Sequence, residues 1–179
     1  MDTGIISVRY ARALLKCSIE AHVEEHVYHE MQLLASNYLE MPLLGQTIGN
    51  PMFAKSTKEA ILLAACGEKV TDITKRFIAL VLREGRENIL PFMARSYIAL
   101  YRQQRNITQG KLITAATASP KIRQRMQQMV EERTKGTVEF ETEVKPEILG
   151  GFILEYDTYR LDASVQRNLR TILSQLKHS

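Results

Sequence analysis

His22-Val23-Glu24-Glu25-His26, with His29 and Glu30 beyond, is the densest group of chemistry-bearing side chains in the sequence. It matches H-x-x-E-H, an inverted zincin pattern in which histidines hold zinc and a glutamate serves as base. On one uninterrupted helix, positions 22, 26 and 29 would share a face. The pattern is short, however, and all its candidate ligands are local. A catalytic zinc of this class takes a further ligand from another element, and nothing downstream nominates one. A solvated face at the junction of two helices is the expectation.

The pair Gly150-Gly151 raises phosphate binding. Phosphate cradles run from a strand through a glycine loop into a helix N-terminus. This pair follows a turn and precedes an apolar strand, so the order is wrong. Glycines there permit positive φ or close backbone approach at the entry to a strand. Asp162 and Ser164 read as helix-capping groups. Ser164 has no histidine near it in sequence, and His178 sits at the frayed end of the chain. No catalytic grouping is supported, and the reading needs no cofactor and no metal.

The composition is that of a globular protein: 179 residues, 45% apolar and 25% charged. That length allows one domain or two small ones. The longest apolar run, Ala60 to Cys66, is far short of the ~20 residues of a membrane span. The N-terminus lacks the pattern of a secretory signal, so a cytoplasmic protein with free, buried Cys17 and Cys66 thiols is expected. The net charge of +4 is uneven: −3 over residues 1–50, +5 over 51–105 and +2 over 106–179. No segment forms the clustered basic stripe with aromatic interleaving of a nucleic-acid domain. The alternative of a freestanding helical adapter or weak nucleic-acid binder rests on the +5 middle segment alone.

The elements that must position any site follow from breakers and periodicity. Helices are predicted over 5–22, 24–39, 43–48, from a capping box at Ser56-Thr57-Lys58-Glu59 to Gly67, 73–84 capped by Asp72, and 89–105. After Asn106 the pattern changes. Leu112–Ala118 reads as a buried strand, and Ser119-Pro120 opens a helix that Gly136 ends. Residues 137–144 alternate as a half-exposed strand, 152–156 form a third, and Val165, Leu169, Ile172, Leu173 and Leu176 trace a closing helix expected to complete the core. The predicted fold is mainly α: a six-helix bundle over 1–105, then a small α+β domain of three strands and two helices over 106–179.

The first helix carries two opposed apolar stripes. Val8, Ala11, Leu15 and Ile19 lie on one side; Ile6, Tyr10, Ala13, Cys17 and Ala21 lie on the other, with Leu14 at its edge. Such a helix either lies between two core layers or lends one stripe to a partner. The Tyr10 side is the candidate for the outside, because its small residues admit a second helix and tyrosine tolerates one wet edge.

The ordered run Pro146-Glu147-Ile148-Leu149-Gly150-Gly151-Phe152-Ile153-Leu154, Tyr156-Asp157 and Leu161-Asp162-Ala163-Ser164-Val165 closely resembles the C-terminal motif of the ATP synthase delta (OSCP) family. Arg9-Tyr10-Ala11-Arg12-Ala13-Leu14, Asn50-Pro51 and Phe77–Leu82 with Gly85-Arg86 are similar to its N-terminal and middle motifs, so the resemblance spans the chain. Two departures stand out: Glu155 precedes Tyr156-Asp157 where the family often has a glycine before the aspartate, and Ala163 replaces a common glycine. Gly150, Gly151, Asp157, Asp162 and Ser164 are its structural motif here. The resemblance implies a non-catalytic stator subunit of a bacterial-type rotary ATP synthase, holding the catalytic head against the turning rotor. Its N-terminal domain would bind the N-terminal helices of alpha subunits, with Tyr10, Ala13, Leu14, Cys17, Arg76 and Leu80 as the candidate contact. Its C-terminal domain would hold the C-termini of the b subunits of the peripheral stalk. It implies no nucleic-acid partner, and a place on the cytoplasmic face of the cell membrane reached only through the complex.

Overall fold

The computed structural model describes residues 3–156 and 158–177, without the side chain of Lys177. Among the described residues, eight α-helices and four strands stand where a six-helix bundle with three strands and two further helices was expected. The chain divides into two compact units, residues 1–103 and 104–179.

The first unit holds α1 (Thr3–Glu20), α2 (Glu24–Glu40), α3 (Pro42–Gly49), α4 (Lys55–Cys66), α5 (Asp72–Arg83) and α6 (Leu90–Arg105), with a short 3-10 turn at Glu87–Ile89. Each helix turns one stripe inward. On α1 the buried positions are Ser7, Ala11, Leu14, Leu15 and Ser18. The core face is therefore rotated from the expected one, with Val8 at the surface and Leu14 inside. Polar groups on this face find hydrogen-bond partners on other helices. Ser18 Oγ and Tyr97 Oη lie 2.9 Å apart, and Tyr97 also donates to the Glu24 carbonyl at 3.1 Å. Burial pushes the Tyr97 hydroxyl up to about 12. Beside it, Tyr101 stacks on Tyr28 at 4.3 Å between ring centroids.

Two helix starts differ from the sequence reading for one physical reason, a long-range polar contact. The Ser56 capping box does not form, because α4 begins at Lys55 with Ala54 at the cap position. The earlier start accompanies two tertiary bonds: Lys55 Nζ donates to the Arg83 carbonyl at 3.2 Å, and Lys58 Nζ donates to Glu87 at 2.8 Å. Likewise Thr71, not Asp72, caps α5, its Oγ1 accepting from the Thr74 amide at 3.3 Å. Buried Glu30 on α2 fixes Thr71 by accepting from its amide at 2.6 Å and its hydroxyl at 2.9 Å.

The second unit holds β1 (Ile107–Thr114), α7 (Pro120–Thr134), β2 (Thr137–Val144), a 3-10 turn (Pro146–Ile148), β3 (Phe152–Tyr156), β4 (Tyr159–Asp162) and α8 (Val165–Lys177). The sheet order is β2-β1-β3-β4. β1 and β2 are parallel, as the α7 crossover demands, and the other two pairings are antiparallel. The expected first strand is shifted: β1 starts at Ile107 and stops at Thr114. Gly110 lies inside the strand opposite Phe140. A Cβ at Gly110 would come within 2.4 Å of the Phe140 ring, so the glycine makes room for it. The unexpected β4 is short and exposed. It exists through pairing with β3, with Tyr159 stacked on Tyr156 at 5.5 Å.

One side of the sheet packs Leu112, Val138, Leu154 and Tyr156 against Val130, with Met126 and Met129 of α7 at the margin. The other side clusters Ile113, Ile148 and Ile153, then turns polar with Lys111–Glu143 and Arg160–Glu155 ion pairs at 2.9 and 3.4 Å. The α8 stripe, expected to complete the core, is instead exposed along its length.

Candidate functional site

The glycine pair builds the junction that launches α8. Leu149 and Gly151 have positive φ values of 64° and 74°. This bend lets the Gly150 carbonyl accept from the Val165 amide at 3.0 Å, and the Phe152 carbonyl accept from Ala163 at 2.9 Å. Asp162 Oδ1 then accepts from the Ser164 amide at 3.0 Å, and buried Ser164 Oγ accepts from the Arg167 amide at 3.2 Å. Hydrogen bonds from Ser164 hold the Asp162 carboxyl below its usual range. Both residues are caps in the structure, and Ser164 is engaged in holding the helix start. Asp157, the remaining motif residue, and His178 lie outside the described residues. A Cβ at Gly151 would meet the Ala163 carbonyl oxygen at 2.2 Å, whereas at Gly150 the nearest atom is a Val165 methyl at 3.1 Å. Gly151→Ala should therefore destabilise the second unit by at least the ~1–3 kcal/mol that backbone strain costs. Gly150→Ala should cost less. Hydrogen exchange of β3 and β4 amides checks both.

The histidine group is taken apart by the chain's path. His22 ends α1 in the left-handed region, φ 55°, so it is not on the helix that carries His26 and His29. Two bonds complete this helix stop: His22 N–H to the Ile19 carbonyl at 3.0 Å and Val23 N–H to the Ser18 carbonyl at 3.0 Å. His29 Nδ1 lies 3.2 Å from Gln32 Oε1. Among the described residues, no three His, Cys, Asp or Glu side chains group as a metal site.

The candidate partner surface is built by α1 and α5. Tyr10 is half-buried, its ring edge-on to Phe77 at 6.4 Å and 65°. The Arg86 guanidinium sits 5.3 Å from the Tyr10 ring centroid, and Arg86 Nη1 donates to Tyr10 Oη at 2.7 Å. By helical position, exposed Ala13 and Cys17 flank Tyr10 on α1, and exposed Arg76 and Leu80 flank Phe77 on α5. Leu14 is apart from this group, 3% exposed within the core. Helical periodicity on α1 did not point to Phe77 and Arg86 as members, although Gly85-Arg86 closing α5 was the available signal. Cys17 is exposed, against the expectation of two buried thiols; Cys66 is buried, and burial with the Glu30 charge pushes its thiol up to about 12.

A helical unit with an apolar-and-basic face is joined to a small sheet unit that presents an amphipathic helix. The family profile described as ATP synthase delta (OSCP) subunit matches residues 6–176, and the chain belongs to that family. It is 45% identical to the ATP synthase subunit delta of Phocaeicola vulgatus over 98% of this chain and 95% of that one. To the same subunit of Parabacteroides distasonis it is 39% identical over 98% of both chains. Its fold matches a chain in the cryo-EM structure of the Toxoplasma gondii mitochondrial ATP synthase hexamer, with a TM-score of 0.65 at 20% identity over 95% of this chain and 96% of the other. As a member of this family it is a non-catalytic, structural stator subunit of ATP synthase. It is a peripheral subunit of that membrane-bound complex, and no helix among its described residues is long and apolar enough to cross a membrane.

Proposed function

We propose that the first unit grips the N-terminal helices of alpha subunits through the α1–α5 surface, while the second unit holds the C-termini of the peripheral-stalk b subunits. The complex would stand on the cytoplasmic face of the cell membrane. The observation that carries the head contact is the exposed Ala13, Cys17 and Leu80 around a Tyr10 ring that Phe77 and Arg86 hold in place. Small side chains let a helix approach closely, and apolar burial at roughly 25 cal/mol per Å² supplies affinity. Two adhesive surfaces on one chain resist torque between head and stalk.

Pull-down from detergent-solubilised native membranes tests both halves. The full chain should capture alpha, beta and b subunits. A chain lacking residues 150–179 loses β3, β4 and α8, and with them the core partners Ile153, Leu154 and Tyr156. It should lose b while retaining alpha, because the first unit keeps its own core. Loss of alpha together with b would refute independent sites.

A further inference from the structure

β2 is an outer strand of the sheet, eight residues long and hydrogen-bonded to β1 alone among the described strands. The two halves of its outer edge differ. Glu131 Oε1 accepts from the Val138 amide at 3.3 Å, and Arg123 Nη2 donates to the Phe140 carbonyl at 3.4 Å, so α7 closes the first half with side chains. Val138 and Phe140 thus turn their backbone groups outward, and by the alternation of a strand so do Thr142 and Val144. Lys145 keeps the same parity, its amide turning the other way to the Thr114 carbonyl of β1 at 2.8 Å. Thr142 therefore points both its N–H and its carbonyl away from β1, and among the described residues no side chain caps them. An edge of this kind accepts another strand unless it is blocked.

The side chains beside the open half differ between the two faces. Toward α7 lie Phe140, Thr142 and Val144, the last 49% exposed. On the other face lie Glu139, Glu141 and Glu143. Lys111 stands opposite Glu141 in register but pairs with Glu143 at 2.9 Å, and Lys145 reaches the same carboxylate at 3.2 Å. Glu141 is left as the exposed carboxylate of the open half.

From this arrangement we infer that residues 140–144 of β2 form a strand-addition site for an extended segment of another protein, in which lysine or arginine alternates with threonine or valine. Main-chain bonds to Thr142 would supply the pairing. The basic residues would stand beside Glu141, and the β-branched ones beside Phe140 and Val144. A second copy of β2 is disfavoured, because antiparallel pairing about a two-fold axis sets glutamates beside glutamates, and like charges side by side are destabilising. The site uses neither the α1–α5 surface nor α8, so it stands or falls apart from the contacts proposed above.

The full-length chain, isotopically labelled for NMR, is titrated with two peptides of about seven residues, enough to span the open half. One alternates lysine with threonine, the other glutamate with threonine. At low salt the lysine peptide should bind at least ~tenfold more tightly, and the ratio should shrink as salt screens the charges. The Phe140, Thr142 and Val144 amides should shift and gain protection from hydrogen exchange. Glu141→Lys should remove the preference. Thr142→Pro deletes the outward N–H while sparing the bonds to β1, so it should abolish binding. If that variant fails to fold, an N-methylated lysine peptide carries the same test on the unmodified chain, where it should not bind. Equal affinity for the two peptides overturns the inference, as does tight binding of the N-methylated peptide. So do shifts confined to other segments, or a peptide-free chain whose Thr142 amide is protected and loses that protection on dilution, the mark of a homodimer.

Discussion

Leu15→Asp should unfold the first unit, while Ala13→Asp, two residues away, should leave it folded and strip it of the proposed contact with alpha subunits. Leu15 is 7% exposed and belongs to the inward stripe of α1 with Ala11, Leu14 and Ser18. A carboxylate there would be buried in the core, and an unpaired buried charge costs several kcal/mol, comparable to the whole stability of a small domain. Ala13 faces solvent, where substitutions move stability by about 0.5 kcal/mol or less. In the complex the same aspartate would be desolvated against an apolar helix and weaken binding by about 2–5 kcal/mol, the range for an uncompensated interfacial charge. Calorimetry with a synthetic alpha N-terminal peptide, alongside thermal unfolding of each variant, checks the pair. The reverse pattern would mean that the two faces of α1 are exchanged. Leu14→Asp should behave like Leu15→Asp, because the structure puts Leu14 in the core.

Lys58→Ala should destabilise the first unit by about 3–5 kcal/mol, the cost of leaving one member of a buried ion pair alone. Lys58 and Glu87 meet at 2.8 Å with side-chain exposures of 4% and 16%. Glu87 Oε2 is buried without a hydrogen-bond partner, and the Lys58 ammonium bonded to Oε1, with the Lys55 charge beyond it, compensates this carboxylate. Burial by itself would raise the Glu87 carboxyl, yet the Lys58 hydrogen bond, a backbone hydrogen bond and the Lys58 and Lys55 charges carry it below its ordinary 4.5. A lowered folded value means the pair's stabilisation is present above about pH 4.5 and is lost as pH falls through the folded value. Urea unfolding, read through hydrogen exchange of α4 and α5 amides, should therefore show acid sensitivity in the parent that Lys58→Ala lacks. Lys58→Met with Glu87→Leu should recover most of the loss, since an apolar pair leaves no charge behind.

Local signals carried much of the architecture. Gly67 and Gly85 end α4 and α5 at positive φ, and Ser119-Pro120 opens α7 with the serine oxygen on the Ile122 amide. The bounds of β2 and β3 are those predicted from alternation and from the apolar run after the glycines. These elements were legible because capping, positive φ and period-2 alternation are decided within a few residues. The misplaced starts of α4 and α5 share the opposite property: Lys58 reaches Glu87, and Thr71 is held by Glu30 from 41 residues away.

By itself, then, the sequence determined the order of the helices and of every strand but β4, the change from helices to a mixed sheet after Asn106, the glycine-built junction before α8, and the family. It did so because each is written in contiguous residues. Only the tertiary structure decided that Leu14 belongs to the core, that His22 stops a helix rather than joining His26, and that the α8 stripe faces solvent. Periodicity identifies which face of a helix is apolar, but what covers that face depends on partners brought together from distant parts of the chain. On the α7 side of the sheet, Val130, Met126 and Met129 supply that cover, while the apolar face of α8 faces solvent.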